Sequence, residues 1–317
     1  MNFSPRTRLS RWAAGLVLGA LVIPLAACST PSASSSNSAS AAKINVVTAF
    51  YPFQFVTERV AGDHADVSSL TAPGAEPHDL ELTPKQTASI GSADLVVYQT
   101  GFQSAVDDAV KQATPKHAVD VATIVSLQAP EGTVNLGDGD DDQYTKDPHE
   151  WLDPTNVETI TNAVRDQLSS IDPSHKSDYE SNAAKLVTDL QGVDNNYKTT
   201  LSTCTQKTFI TTHAAFGYMA RRYGLNQIGI SGLSPEEEPS PTRIAKVQEL
   251  AKQNNVTTIF YETLVSPKVA ESIAGDLNLK TDVLDPLEGI TDKSRGTDYL
   301  QVMDSNLTAL KTANGCS

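Results

Sequence analysis

Positive charge is scarce in this chain. Across 317 residues, 24 Lys and Arg stand against 38 Asp and Glu, a formal charge of −14. Three of the cations, Arg6, Arg8 and Arg11, fall in the first 27 residues, which carry no acid, so the remainder is more negative still. That balance argues against nucleic acid or an anionic membrane surface as a partner, and it suits cations. Several catalytic signatures are also missing. There is no His-Glu-x-x-His helix, no Gly-x-Ser-x-Gly elbow and no glycine-rich phosphate loop. After residue 27 the composition is that of a soluble globular protein, long enough for one or two domains.

The start is different. The three arginines precede an apolar run over residues 12–27 that ends Leu25-Ala26-Ala27-Cys28. Residues 1–27 therefore form a signal segment rather than part of the fold. The Leu-Ala-Ala-Cys sequence resembles the bacterial lipobox, which implies cleavage before Cys28 and a lipid on its thiol. Residues 28–43 then form a Ser/Ala-rich tether with too little apolar surface to pack. Cysteine is otherwise almost absent. Only Cys204 and Cys316 remain, and an even pair in an exported protein is expected to form a disulfide.

What is present is a regular alternation of strand and helix patterns. Strands are expected at 44–49, 66–70, 94–98 and 118–121, with helices at 52–61, 84–90, 102–112 and 157–168. Asp153 and Pro154 open the last of these. The pattern restarts with strands at 208–212, 227–230, 257–261 and 281–284 and helices at 214–223, 242–253, 267–277 and 298–311. Between the halves, Tyr179, Ala183, Leu186, Leu190, Val193, Tyr197 and Leu201 form one apolar stripe at helical spacing. Asp172 is a good N-cap and Pro173 suits the first helical position. About 30 helical residues make a rod of roughly 45 Å. The expected fold is therefore α/β. A lobe at 44–171 and a lobe at 204–317 each carry a mostly parallel four-stranded sheet with flanking helices, joined by a rigid helix at 172–203.

Ligands of such sheets gather beyond the carboxyl ends of the strands. Four candidate metal-ligating residues follow strands there. His78 lies in Gly74-Ala75-Glu76-Pro77-His78-Asp79, and His149 in Asp147-Pro148-His149-Glu150-Trp151; each follows a proline and is flanked by acids. His213 directly follows the fifth strand and Asp285 the eighth. Three imidazoles and one carboxylate make a full tetrahedral set for Zn²⁺, or with a bidentate carboxylate a site for Mn²⁺ or Fe²⁺. Four protein ligands leave no position for a catalytic water, so capture rather than turnover is expected. Glu76, Glu150 and Glu262 are candidates for supporting or alternative ligands. His64, His117 and His175 are expected to be structural or solvent-exposed.

Taken in order, the segments GAEPHDLELTP, DPHEWLDP, THAAFGY, SGLSPEEEPSP and VLDPLEG resemble the motifs of the zinc/manganese-binding lipoproteins of bacterial metal ABC importers, the ZnuA/TroA-like group (cluster A-I) of solute-binding proteins. The resemblance covers nearly all of residues 44–315. It implies a receptor, not an enzyme, on the outer face of the cell membrane, monomeric and lipid-anchored. Such a receptor holds metal in an inter-lobe cleft with His78, His149, His213 and Asp285, and hands it to a membrane permease. Histidine at 213, where manganese members often carry Glu, implies zinc, with manganese or iron as the alternative. An adhesin whose metal is structural is a further alternative. One departure stands out: the His-rich loop common in zinc members is replaced here by Gly137-Asp138-Gly139-Asp140-Asp141-Asp142.

Overall fold

A computed structural model of the chain describes residues 43–132 and 144–317. The signal segment, Cys28, the tether up to residue 42 and the acidic run at 137–142 lie outside the described residues.

The first half runs β1 (Ile44–Thr48), α1 (Tyr51–Ala61), β2 (Ala65–Ser69), α2 (Pro84–Ser92), β3 (Leu95–Tyr98), α3 (Ser104–Ala113), β4 (Ala118–Asp120), the one-turn α4 (Val121–Ile124) and α5 (Pro154–Ile171). Then comes the long helix α6 (Lys176–Ser202). The second half runs β5 (Thr208–Thr211), α7 (Gly217–Tyr223), β6 (Asn226–Gly229), α8 (Pro241–Gln253), β7 (Thr258–Tyr261), α9 (Lys268–Leu277), β8 (Lys280–Val283) and α10 (Tyr299–Ala313). Every strand pair is parallel, in the orders β2-β1-β3-β4 and β6-β5-β7-β8. The two sheets share one topology, although the sequence shows no repeat. Parallel sheets are covered on both faces, so their central strands read as apolar runs. Val46, Val47, Leu95, Val96 and Val97 are accordingly buried, as are Phe209 and Ile210.

The seven stripe residues of α6 are all buried, and the helix packs against α1, α5 and α10. Its 27 residues span about 40 Å. It begins later than residue 172, because Pro173–His175 form a 3₁₀ turn. There the Asp172 carboxylate accepts from the side chains of Ser174, His175 and Tyr179 rather than from free backbone N–H groups. At the other end, Cys204 is disulfide-bonded to Cys316, tying the end of α6 to the end of the chain. Among the described residues no helix is long and apolar enough to cross a membrane.

One helix is shorter than its pattern predicts. Residues 214–216 look helical in sequence, yet α7 starts at Gly217. The Ala214 N–H donates to the Gly232 carbonyl at 2.8 Å, and Thr211 Oγ1 and Gln227 Nε2 both donate to the His213 carbonyl. These bonds hold the strand-to-helix turn open. Gly229 permits it: a Cβ there would stand 2.9 Å from the Ala214 Cβ.

Candidate metal centre

His78 follows β2 in an irregular loop. His149 immediately precedes a 3₁₀ turn at Glu150–Leu152, and His213 stands two residues beyond β5. Glu288 stands five residues beyond β8. All four are buried, and one ligand-type atom of each lies within 4.8 Å of the others. The three Nε2 atoms of His78, His149 and His213 lie 3.3, 3.4 and 3.4 Å from one oxygen, Glu288 Oε1.

The far side of each ring is anchored. His149 Nδ1 lies 2.8 Å from Asp147 Oδ1, and His213 Nδ1 lies 2.8 Å from Glu262 Oε1. A carboxylate can only accept, so these Nδ1 atoms carry protons and the Nε2 atoms, which can bind a metal once unprotonated, point into the cluster. His78 Nδ1 lies 2.9 Å from the Tyr144 hydroxyl, which itself donates to the Phe102 carbonyl. That hydroxyl is thus placed to accept from His78. His149 Nε2, His213 Nε2 and Glu288 Oε2 are buried without a hydrogen-bond partner. Buried polar atoms converging in this way are costly unless a proton or a cation completes them. The spacing fits: zinc–nitrogen bonds of about 2.0–2.1 Å in a tetrahedron put neighbouring ligands about 3.3–3.4 Å apart.

Charge follows the same geometry. Burial opposes ionisation of Glu288, but the three imidazoles outweigh it and hold the carboxyl well below its usual range. Burial lowers His78. For His149 and His213 burial acts in the same direction, but Asp147 and Glu288 raise the first and Glu262 and Glu288 raise the second well above a free imidazole. Without a cation, the cluster holds protons that an incoming metal has to displace.

Residues 46–313 match the family described as zinc-uptake complex component A, periplasmic. The chain belongs to this family. It is 37% identical, over 95% of its own length and 97% of the relative's, to the high-affinity zinc uptake system protein ZnuA of Bacillus subtilis (strain 168). It resembles the crystal structure of Zn(II)-bound AdcA from Streptococcus pneumoniae at 37% identity and TM-score 0.73. That match covers 86% of this chain and 58% of the longer AdcA chain. It also resembles the laminin-binding protein Lmb of Streptococcus agalactiae, described as having adhesin and metal transporting activity, at 32% identity and TM-score 0.76. There 86% of this chain covers 99% of that one.

Within this zinc-uptake component, the expectation for Asp285 is corrected. Its oxygens do not join the four-residue cluster. Oδ1 accepts from the Leu287 N–H at 2.8 Å, and Oδ2 accepts from the Thr263 and Ser294 hydroxyls at 3.0 and 3.1 Å. Asn306 clamps its backbone through two further bonds. Asp285 builds the turn; Leu287, at φ 62°, reverses it, and the carboxylate that reaches the imidazoles is Glu288. The signal lay inside the VLDPLEG segment: an acid before proline, with an N–H two residues on, reads as a turn former.

The other acids also separate. Glu262 orients His213 and accepts from Thr212 Oγ1 at 2.6 Å. Glu76 accepts from the His78 N–H at 3.0 Å and stays outside the cluster; burial, then the charge of Glu288, push its carboxyl up to about 9. Glu150 is fully buried outside the cluster, and burial pushes its carboxyl well above the usual range. Asp153 caps α5, accepting from the Thr155 N–H. His64 and His175 stack on each other at 3.9 Å and do not join the four-residue cluster.

A cavity of about 260 Å³ lined by Tyr51, Gln54, Thr71–Pro73 and Glu288–Ile290 reaches the cluster at Glu288. A larger one, about 450 Å³, lies along Pro235–Pro239 and Thr212 and is lined by none of the four residues.

Proposed function

We propose that this chain is an extracytoplasmic receptor that captures Zn²⁺ with His78, His149, His213 and Glu288 and delivers it to the permease of an ABC importer. The observation that carries this reading is the convergence of three anchored imidazole Nε2 atoms on one carboxylate oxygen in a buried site. The names of the zinc-uptake and zinc-bound relatives support it. Three imidazoles favour zinc over manganese in the divalent affinity order. Four protein ligands fill a tetrahedron, so the chain is a receptor and not an enzyme. It acts as a monomer of two lobes, at 44–171 and 204–317, tethered by a lipid on Cys28. Adhesion of the kind described for Lmb would use its outer surface and is compatible with transport.

The test is competition. Protein stripped with chelator and offered equal free Zn²⁺ and Mn²⁺ retains one equivalent of zinc by elemental analysis, and His213→Glu shifts retention toward manganese. Manganese preference in the unmutated protein would reassign the cargo, and no retained metal would remove the site.

A pH dependence follows from the raised His149 and His213. A group whose folded pKa is raised stabilises the empty protein fully below its unfolded value near 6.5, and loses that contribution as pH rises through the folded value. Zinc needs the unprotonated rings, so its stabilisation has the opposite slope. The difference in Tm between loaded and stripped protein therefore widens from pH 5.5 to pH 8. A constant difference across that range would contradict imidazole ligation.

A further inference from the structure

Residues 147–153 follow the first sheet in sequence, but much of their support comes from the second half of the chain. Trp151 Nε1 donates to the Pro286 carbonyl at 2.8 Å, and the Tyr299 hydroxyl donates to the Trp151 carbonyl at 2.6 Å. At the other end of the segment the Tyr218 hydroxyl accepts from the Gln128 N–H at 2.8 Å and donates to the Asp147 carbonyl at 3.0 Å. Asp147 Oδ1 then accepts from both the N–H and Nδ1 of His149. Its other oxygen, Oδ2, rests against Gly217: a Cβ there would stand 2.7 Å away, closer than real Cβ contacts come. Asp147 is 1% exposed, so it has little room to retreat.

We propose that Gly217 and Tyr218 are positioning residues for His149. They hold Asp147 by contact and by hydrogen bond, so that the start of α7 sets the ring that Asp147 orients. This rests on the zinc-receptor reading above. Gly217 is required here for space rather than for backbone conformation. Any side chain forces the Asp147 carboxylate off the Nδ1–H, and the His149 lone pair loses its fixed direction. Losing such a supporting contact typically weakens metal binding by about 10- to 100-fold. The arrangement also gives the second half of the chain control over a ligand that the first half carries, without any contact to the metal.

A double-mutant cycle tests this. Zinc Kd is measured by chelator competition for the wild type, Gly217→Ala, His149→Ala and the double variant, with thermal unfolding of each zinc-free protein. Gly217→Ala is expected to weaken binding by about 10- to 100-fold in the wild type and by less than about threefold when His149 is already absent. An equal loss in both backgrounds would mean that Gly217 supports the fold at large, and would overturn the proposal. If Gly217→Ala does not fold, Tyr218→Phe takes its place in the same cycle, with a smaller loss and the same criterion. Wild-type protein that takes up no zinc would instead overturn the receptor reading, and this inference with it.

Discussion

Glu288→Ala will weaken zinc binding by about 100-fold, some 2.7 kcal/mol, whereas Asp285→Asn will leave it within about threefold. The two carboxylates are three residues apart in one segment, and the geometry separates them. Glu288 Oε1 is the atom on which all three Nε2 atoms converge. Removing it leaves a buried dication held by three neutral imidazoles without the one carboxylate that meets it directly. Asp285→Asn keeps an oxygen for the Leu287 N–H, and the Thr263 and Ser294 hydroxyls can reverse to meet the new amide. Chelator competition on both variants decides the assignment. If Asp285→Asn lost zinc while Glu288→Ala kept it, the ligand set proposed here would be wrong.

The second large effect concerns the fold. Replacing Cys204 and Cys316 together by Ser should cost about 4 kcal/mol, within a usual range of about 2–5. The bond closes a loop of 112 residues that contains the whole second sheet, so its loss frees much of the unfolded chain. For a chain of this size about 4 kcal/mol corresponds to roughly 10 °C in Tm. Zinc stoichiometry should remain one, because the cluster lies at the strand ends and the disulfide at the far end of α6. Calorimetry of the zinc-free variant checks this; an unchanged Tm would show that the loop is held by packing alone.

Most of the architecture was legible because each element carried its own local signal. The apolar stripe of α6 is a period of 3.6 over seven residues, and all seven are buried. Asp153-Pro154 marks a helix start by the rules of capping, and the Asp153 side chain caps α5 as expected. The parallel arrangement followed from alternation of strand and helix. Local signals fail where a distant group decides the outcome. Residues 214–216 have helical character, but Gly232 and Gln227 hold the backbone in a turn. At Asp172 the first turn tightens because side chains, not backbone amides, take up the carboxylate.

The candidate site divides in the same way. By itself the sequence determined that two histidines lie in stiff, acid-flanked loops and a third follows a strand closely, that two cysteines are paired, and that two parallel sheets flank one long helix. These are properties of residue type and spacing, and spacing is conserved from chain to fold. Tertiary structure alone decided which carboxylate meets the imidazoles. Asp285 and Glu288 have the same charge and nearly the same position, and only the left-handed Leu287 and the Thr263, Ser294 and Asn306 clamps aim one away and the other inward. It also decided that Tyr218 and Gly217 hold the Asp147 that orients His149, a contact across 70 residues of sequence. Direction of a side chain is a three-dimensional property, set by what packs around it, and no period in the sequence records it.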